Sequence, residues 1–107
     1  MIVQADVDRV VERVAALYSP LEVWVFGSFA KGNAHAGSDL DLLIVKPSDL
    51  PRPLRGRNLV SVLSATSPFG IDLVFVTPEE MAEELRQPYS LVSTVLPTAT
   101  RVYPRQG

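Results

Sequence analysis

Nine prolines punctuate the chain: Pro20, Pro47, Pro51, Pro53, Pro68, Pro78, Pro88, Pro97 and Pro104. Each lacks a backbone donor and pushes the residue before it away from helical geometry, so each marks a joint between elements. Only short helices and strands fit between the joints. No apolar run approaches the roughly 20 residues that a bilayer-spanning helix needs. Met1 to Asp6 carries neither a basic segment nor a signal-like apolar stretch. For 107 residues the expectation is one domain over 1–107, soluble, cytoplasmic and without a membrane partner.

Hydrophobic periodicity assigns the pieces. Asp6–Tyr18 places Val7, Val10, Val11, Val14, Leu17 and Tyr18 at helical spacing, with Asp8, Arg9, Glu12 and Arg13 on the other side. Leu21–Phe26 is rich in β-branched and aromatic residues and reads as a strand. Leu40–Val45 and Ile71–Val76 read as two more, with a short helix, Asn58–Ala65, between them. Thr77-Pro78-Glu79-Glu80 predicts a helix start with a capping box, running to about Gln87. Tyr89–Leu96 suits another helix, and Thr100–Tyr103 a short edge strand. The order predicts an α+β (layered α/β) fold: a mixed sheet of three to four strands with helices packed on one face.

The chemistry concentrates between Gly27 and Leu42. Asp39 and Asp41 are two apart at a strand start and share a face, while Leu40 and Leu42 point into the core. Two like charges side by side repel, and Asp is disfavoured in strands. A divalent cation relieves both problems, and Mg²⁺ takes carboxylate oxygens together with substrate phosphates. Asp72 is a lone charge in the otherwise apolar strand Ile71–Val76. It either sits at a sheet margin or joins the first two across paired strands. Three carboxylates would suit a two-metal site for phosphoryl displacement. Upstream, Gly27 allows close backbone approach to a ligand, and a helical turn after Ser28 would favour an anion. Ser28 either caps that turn or donates to a phosphate.

Gly27-Ser28, ten residues and then Asp39-x-Asp41 resembles the signature of the DNA polymerase beta-like nucleotidyltransferase superfamily. Gly32 and the run Ser38-Asp39-Leu40-Asp41-Leu42 resemble its minimal nucleotidyltransferase branch. The strand around Asp72 is similar to the one that carries that family's third carboxylate. The resemblance implies a palm-like nucleotidyltransferase core. It implies Asp39, Asp41 and Asp72 as catalytic residues and ligands of two Mg²⁺ ions, and Gly27, Ser28 and Lys31 as the grip on ATP. It also implies transfer of AMP to a hydroxyl of a partner protein, a tyrosine of a HEPN-domain RNase toxin, within a toxin–antitoxin pair that allows a hetero-oligomer. The alternative is a non-catalytic antitoxin that neutralises the toxin by direct binding. Members often carry a basic residue directly after the serine; here it is Phe29.

Composition narrows the rivals. The net charge is −2 and the pI about 5.3, which argues against general nucleic-acid binding, where many Lys/Arg–phosphate contacts are required. The chain has no cysteine, so thiolate metal sites and a cysteine nucleophile are excluded. His35, the one histidine, reads as a solvated loop residue, and Lys31 as either a surface lysine or a phosphate contact. Arg52, Arg55 and Arg57 read as a solvated basic connection, and Glu79, Glu80, Glu83 and Glu84 as a helix face turned to water.

Overall fold

The computed structural model describes residues 1–35 and 37–105. The elements follow in the order α1 (Gln4–Tyr18), β1 (Glu22–Phe26), α2 (Gly27–Ala30), β2 (Leu40–Val45), α3 (Arg57–Thr66), β3 (Ile71–Val76), α4 (Pro78–Leu85), α5 (Leu91–Val95) and β4 (Thr100–Tyr103). The strands form one mixed sheet in the order β3-β2-β1-β4. β1 lies antiparallel to both β2 and β4, while β2 and β3 run parallel. Parallel neighbours need a crossover, and α3 supplies it. As expected, Thr100–Tyr103 is an edge strand. The helix expected over Tyr89–Leu96 is shorter, and residues 96–98 tighten into a 3₁₀ turn.

Strand alternation builds two cores. On one face Val23, Val25, Leu40, Leu42, Ile44 and Phe75 meet Val7, Val10, Val11 and Val14 of α1 and Leu59 and Leu63 of α3. Each such side chain contributes about 1.5–3 kcal/mol by leaving water. On the other face Leu43, Val45 and Val76 meet Val92 of α5, with Trp24, Val74, Met81 and Leu96 around them. The sequence expectation puts the helices on one face. α1 and α3 do share a face, and α4 and α5 cover part of the opposite one. The reason lies in β2, whose last four residues are all buried, so both sides of that strand need cover. No helix among the described residues is long and apolar enough to cross a membrane.

The connection from β2 to α3 is not the solvated basic stretch its arginines suggest. Arg55 is buried, at 8% exposure. Its Nε donates to the Leu50 carbonyl at 2.8 Å, and its two terminal nitrogens donate to Glu80 at 2.6 and 3.0 Å. Arg52 donates to Glu84 at 2.6 Å. Glu80 also completes the expected capping box: it accepts from the Thr77 N–H at 2.9 Å, and its own N–H donates to Thr77 Oγ1 at 3.1 Å. Arg57 is exposed, as expected.

Candidate active site

The carboxylates lie on the face that α4 and α5 cover, but beyond the end of that cover. Along β2, Asp41 shares a face with Leu43 and Val45; along β3, Asp72 shares one with Val74 and Val76. Parallel pairing sets Asp41 directly beside Asp72, and antiparallel pairing sets it opposite Phe26 at the end of β1. Asp41 is half-buried, while Asp39 and Asp72 are exposed. One end of the sheet therefore presents two carboxylates in register, with a third two residues upstream of the first.

The Asp41 carboxyl is pushed up to about 6. Burial is the largest cause. The neighbouring Asp72 charge, a hydrogen bond between the two side chains and the charge of Asp39 follow. Among the described residues no ion pair engages Asp39, Asp41 or Asp72. No three acidic or imidazole side chains among them converge into a ready-made cation cage. The arrangement is an in-register pair, Asp41 and Asp72, with Asp39 as a nearby third charge.

Two glycines make room for these groups. Gly27 has φ +75°, a conformation that favours glycine, and a Cβ there would stand 2.1 Å from Asp41 Oδ2. A side chain at 27 is therefore excluded by both backbone and carboxylate. Gly70 lacks a positive φ, yet a Cβ on it would stand 2.1 Å from Asp39 Oδ1. The Gly70 carbonyl accepts from the Leu40 N–H at 2.9 Å, which fixes where β2 and β3 begin to pair. Nothing local in the sequence marks Gly70 as part of a site beyond its place two residues before the lone acidic residue of an apolar strand.

The turn after β1 forms where expected. Gly27–Ala30 is a single helical turn with Phe26 at its N-cap, which makes no side-chain hydrogen bond. Ser28 lies inside the turn, so it does not cap it. Phe29 and Ala30 pack against the α1/α3 core. Position 29 thus anchors the turn, and Lys31, exposed just beyond it, is the cation that the turn carries. His35 is exposed and shapes the loop: its Nδ1 accepts from the Gly37 N–H at 3.2 Å, its carbonyl from the Ser38 N–H at 2.9 Å, and its own N–H donates to Ser38 Oγ at 2.9 Å. Ser38 leads directly to Asp39.

The donor set is all oxygen, has no ion-pair partner among the described residues and sits at a solvent-open sheet end. A hard divalent cation fits it, with Asp39, Asp41 and Asp72 as the residues that would hold one.

Known proteins share this arrangement of elements. Residues 7–97 match the nucleotidyltransferase domain family. Over 72 residues the chain is 35% identical to the probable protein adenylyltransferase MntA of Haemophilus influenzae, covering 65% of this chain and 63% of that protein. The chain thus spans less than two thirds of that relative's length. A crystal structure of a toxin–antitoxin with AMP-PNP superposes with a TM-score of 0.52 at 22% identity, over 64% of this chain and 55% of that one. At that identity the likeness is one of fold.

Proposed function

The chain belongs to the nucleotidyltransferase domain family, and from that premise we propose that it moves AMP from ATP onto a hydroxyl of a partner protein. The observation that carries this reading is the in-register Asp41–Asp72 pair, which has no ion-pair partner among the described residues and stands beside the glycine-bounded turn at 27. The reading is also supported by the name of the Haemophilus influenzae relative, a protein adenylyltransferase. The fold neighbour, a toxin–antitoxin holding an ATP analogue, points to a toxin as the partner. The finer expectation is a HEPN-domain toxin whose tyrosine accepts the nucleotide, in the cytoplasm, with this chain acting as a single domain.

The reaction is a displacement at the α-phosphorus. The acceptor oxygen forms a bond to that phosphorus, the bond to the β-phosphate bridging oxygen breaks, and pyrophosphate leaves. The hydroxyl proton passes to a carboxylate, for which Asp72 is the candidate because it is the exposed member of the pair. Mg²⁺, held by Asp39, Asp41 and Asp72, would supply charge neutralisation at the phosphates. Gly27 and Ser28 would position the triphosphate through backbone N–H groups and the serine hydroxyl, with Lys31 adding a flexible positive charge.

The test is intact-mass analysis of the purified chain with Mg-ATP and the protein encoded beside it. The expected product is that partner, heavier by one or more AMP units, formed by the wild type and lost with Asp39→Asn. A partner that stays unmodified while its toxicity is still suppressed would replace this reading with neutralisation by direct binding.

A further inference from the structure

Gly70 stands where conformation asks nothing of it. Its backbone is not in the left-handed region, unlike that of Gly27, Gly32 and Gly56, so most residues could adopt it. What excludes a side chain is Asp39: a Cβ on Gly70 would lie 2.1 Å from Oδ1, 2.6 Å from Cγ and 3.2 Å from Oδ2. The Asp39 carboxylate occupies the space that a side chain on Gly70 would fill. The Gly70 carbonyl, bonded to the Leu40 N–H at 2.9 Å, holds the glycine's backbone at the first rung between β2 and β3. Two residues on, the same pair of strands brings Asp41 beside Asp72.

We infer that Gly70 is a positioning residue for the metal site: its missing side chain lets Asp39 lie against the start of β3, on the strand that carries Asp72. This inference rests on the proposed role of Asp39 as a metal ligand and extends it to a residue with no donor atom. A methyl group at 70 displaces a short carboxylate more easily than a backbone. Asp39 would swing away from β3 and from Asp72, while the Leu40–Gly70 hydrogen bond and the two cores keep the fold. Gly37 provides the contrast: a Cβ there meets the His35 imidazole only at 3.6 Å, an ordinary contact.

The experiment is a Mn²⁺ titration of the nucleotide-free protein, read by electron paramagnetic resonance, for the wild type, Gly70→Ala, Gly37→Ala, Asp39→Asn and the Asp39→Asn/Gly70→Ala double variant. Gly70→Ala is expected to weaken Mn²⁺ binding by about 10–100-fold, the scale found when groups that orient ligands are lost, while Gly37→Ala matches the wild type. In the Asp39→Asn background Gly70→Ala should add nothing, because its effect passes through Asp39. This double variant also covers the case in which Gly70→Ala destabilises the fold, since general damage would add in both backgrounds. Equal affinity in wild type and Gly70→Ala, or an undiminished loss in the Asp39→Asn background, overturns the inference alone. A wild type that takes up no Mn²⁺ overturns the metal reading of the site, and this inference with it.

Discussion

At the C-terminal end of β3, Glu80 receives both terminal nitrogens of Arg55 and the Thr77 N–H, and its carboxyl is held down at about 2. At the N-terminal end of the same strand, Asp72 lies beside Asp41 with no ion-pair partner among the described residues, and Asp41 is pushed up to about 6. The two ends hold the same kind of group under opposite conditions. Hydrogen bonding to Arg55 is the largest cause at Glu80, and burial followed by like charge is the largest at Asp41. A carboxylate that serves the fold is given its counter-charge by the chain. One left uncompensated costs stability, and it persists where an outside cation completes it. That contrast makes the Asp41–Asp72 end the place to look for chemistry, and the Glu80 end a joint that fastens α4 to the loop after β2.

The contrast breaks most directly at Asp41. Asp41→Asn, or Asp72→Asn, should lower nucleotide transfer by on the order of a hundredfold or more, beyond the 10–100-fold seen for groups that only orient metal ligands. At Asp41 the change should leave the metal-free protein no less stable at pH 8, and raise its melting temperature, because it removes an ionised group that burial disfavours. Melting and intact-mass assays on one preparation check both halves. An Asn variant that loses stability along with activity would make Asp41 part of the joint rather than of the site.

Arg55→Met tests the other end. It keeps the side-chain stem and leaves Glu80 without its bidentate partner. Breaking a buried pair from one side costs about 3–5 kcal/mol. Glu80 keeps about a third of its side-chain exposure, so solvent screening brings the expected loss to about 2 kcal/mol, a fall of roughly 10 °C in melting temperature. Transfer by the folded fraction should be unchanged.

A pH series of the metal-free protein reads both ends at once. The folded pKa of Glu80 is depressed, so its contribution is present above the ordinary value near 4.5 and fades as pH falls towards 2. The folded pKa of Asp41 is raised, so its contribution is present below the ordinary value near 3.8 and is lost as pH rises through about 6. Melting temperature should therefore fall on both sides of a maximum between those limits. Mg²⁺ should restore the alkaline side and leave the acid side alone. An alkaline limb indifferent to Mg²⁺ would remove the link between the raised carboxyl and a cation.

What could be read without coordinates follows from how local each signal is. The alternation Asp39-Leu40-Asp41-Leu42 reveals a shared face because strand geometry has a period of two. Gly27-Ser28 marks a turn because a glycine after a β-rich run breaks the strand. Asp72 stands out as a misplaced charge, but its place beside Asp41 depends on parallel register, which no short window encodes. Gly70 gave no conformational sign, since its role lies wholly in what another residue needs. Arg55 and Glu80 each read as solvated, because their pairing spans 25 positions and only the folded loop brings them together. Helices on the second face were hidden for a related reason: α4 has no buried residue, and α5 contributes Val92 alone.

Position 29 leaves a smaller asymmetry within the site itself. Phe29 packs on the core, so the side-chain cation that the turn carries is Lys31. An exposed lysine on a flexible stem binds as a point charge and strengthens ground state and transition state alike. Lys31→Ala should therefore raise KM for ATP by roughly three- to tenfold with kcat nearly unchanged. A fall in kcat instead would place the ammonium on charge that develops during displacement. An unchanged KM would assign phosphate neutralisation to a divalent cation that Asp39, Asp41 and Asp72 would hold, and would make the carboxylate end of β3 sufficient for it.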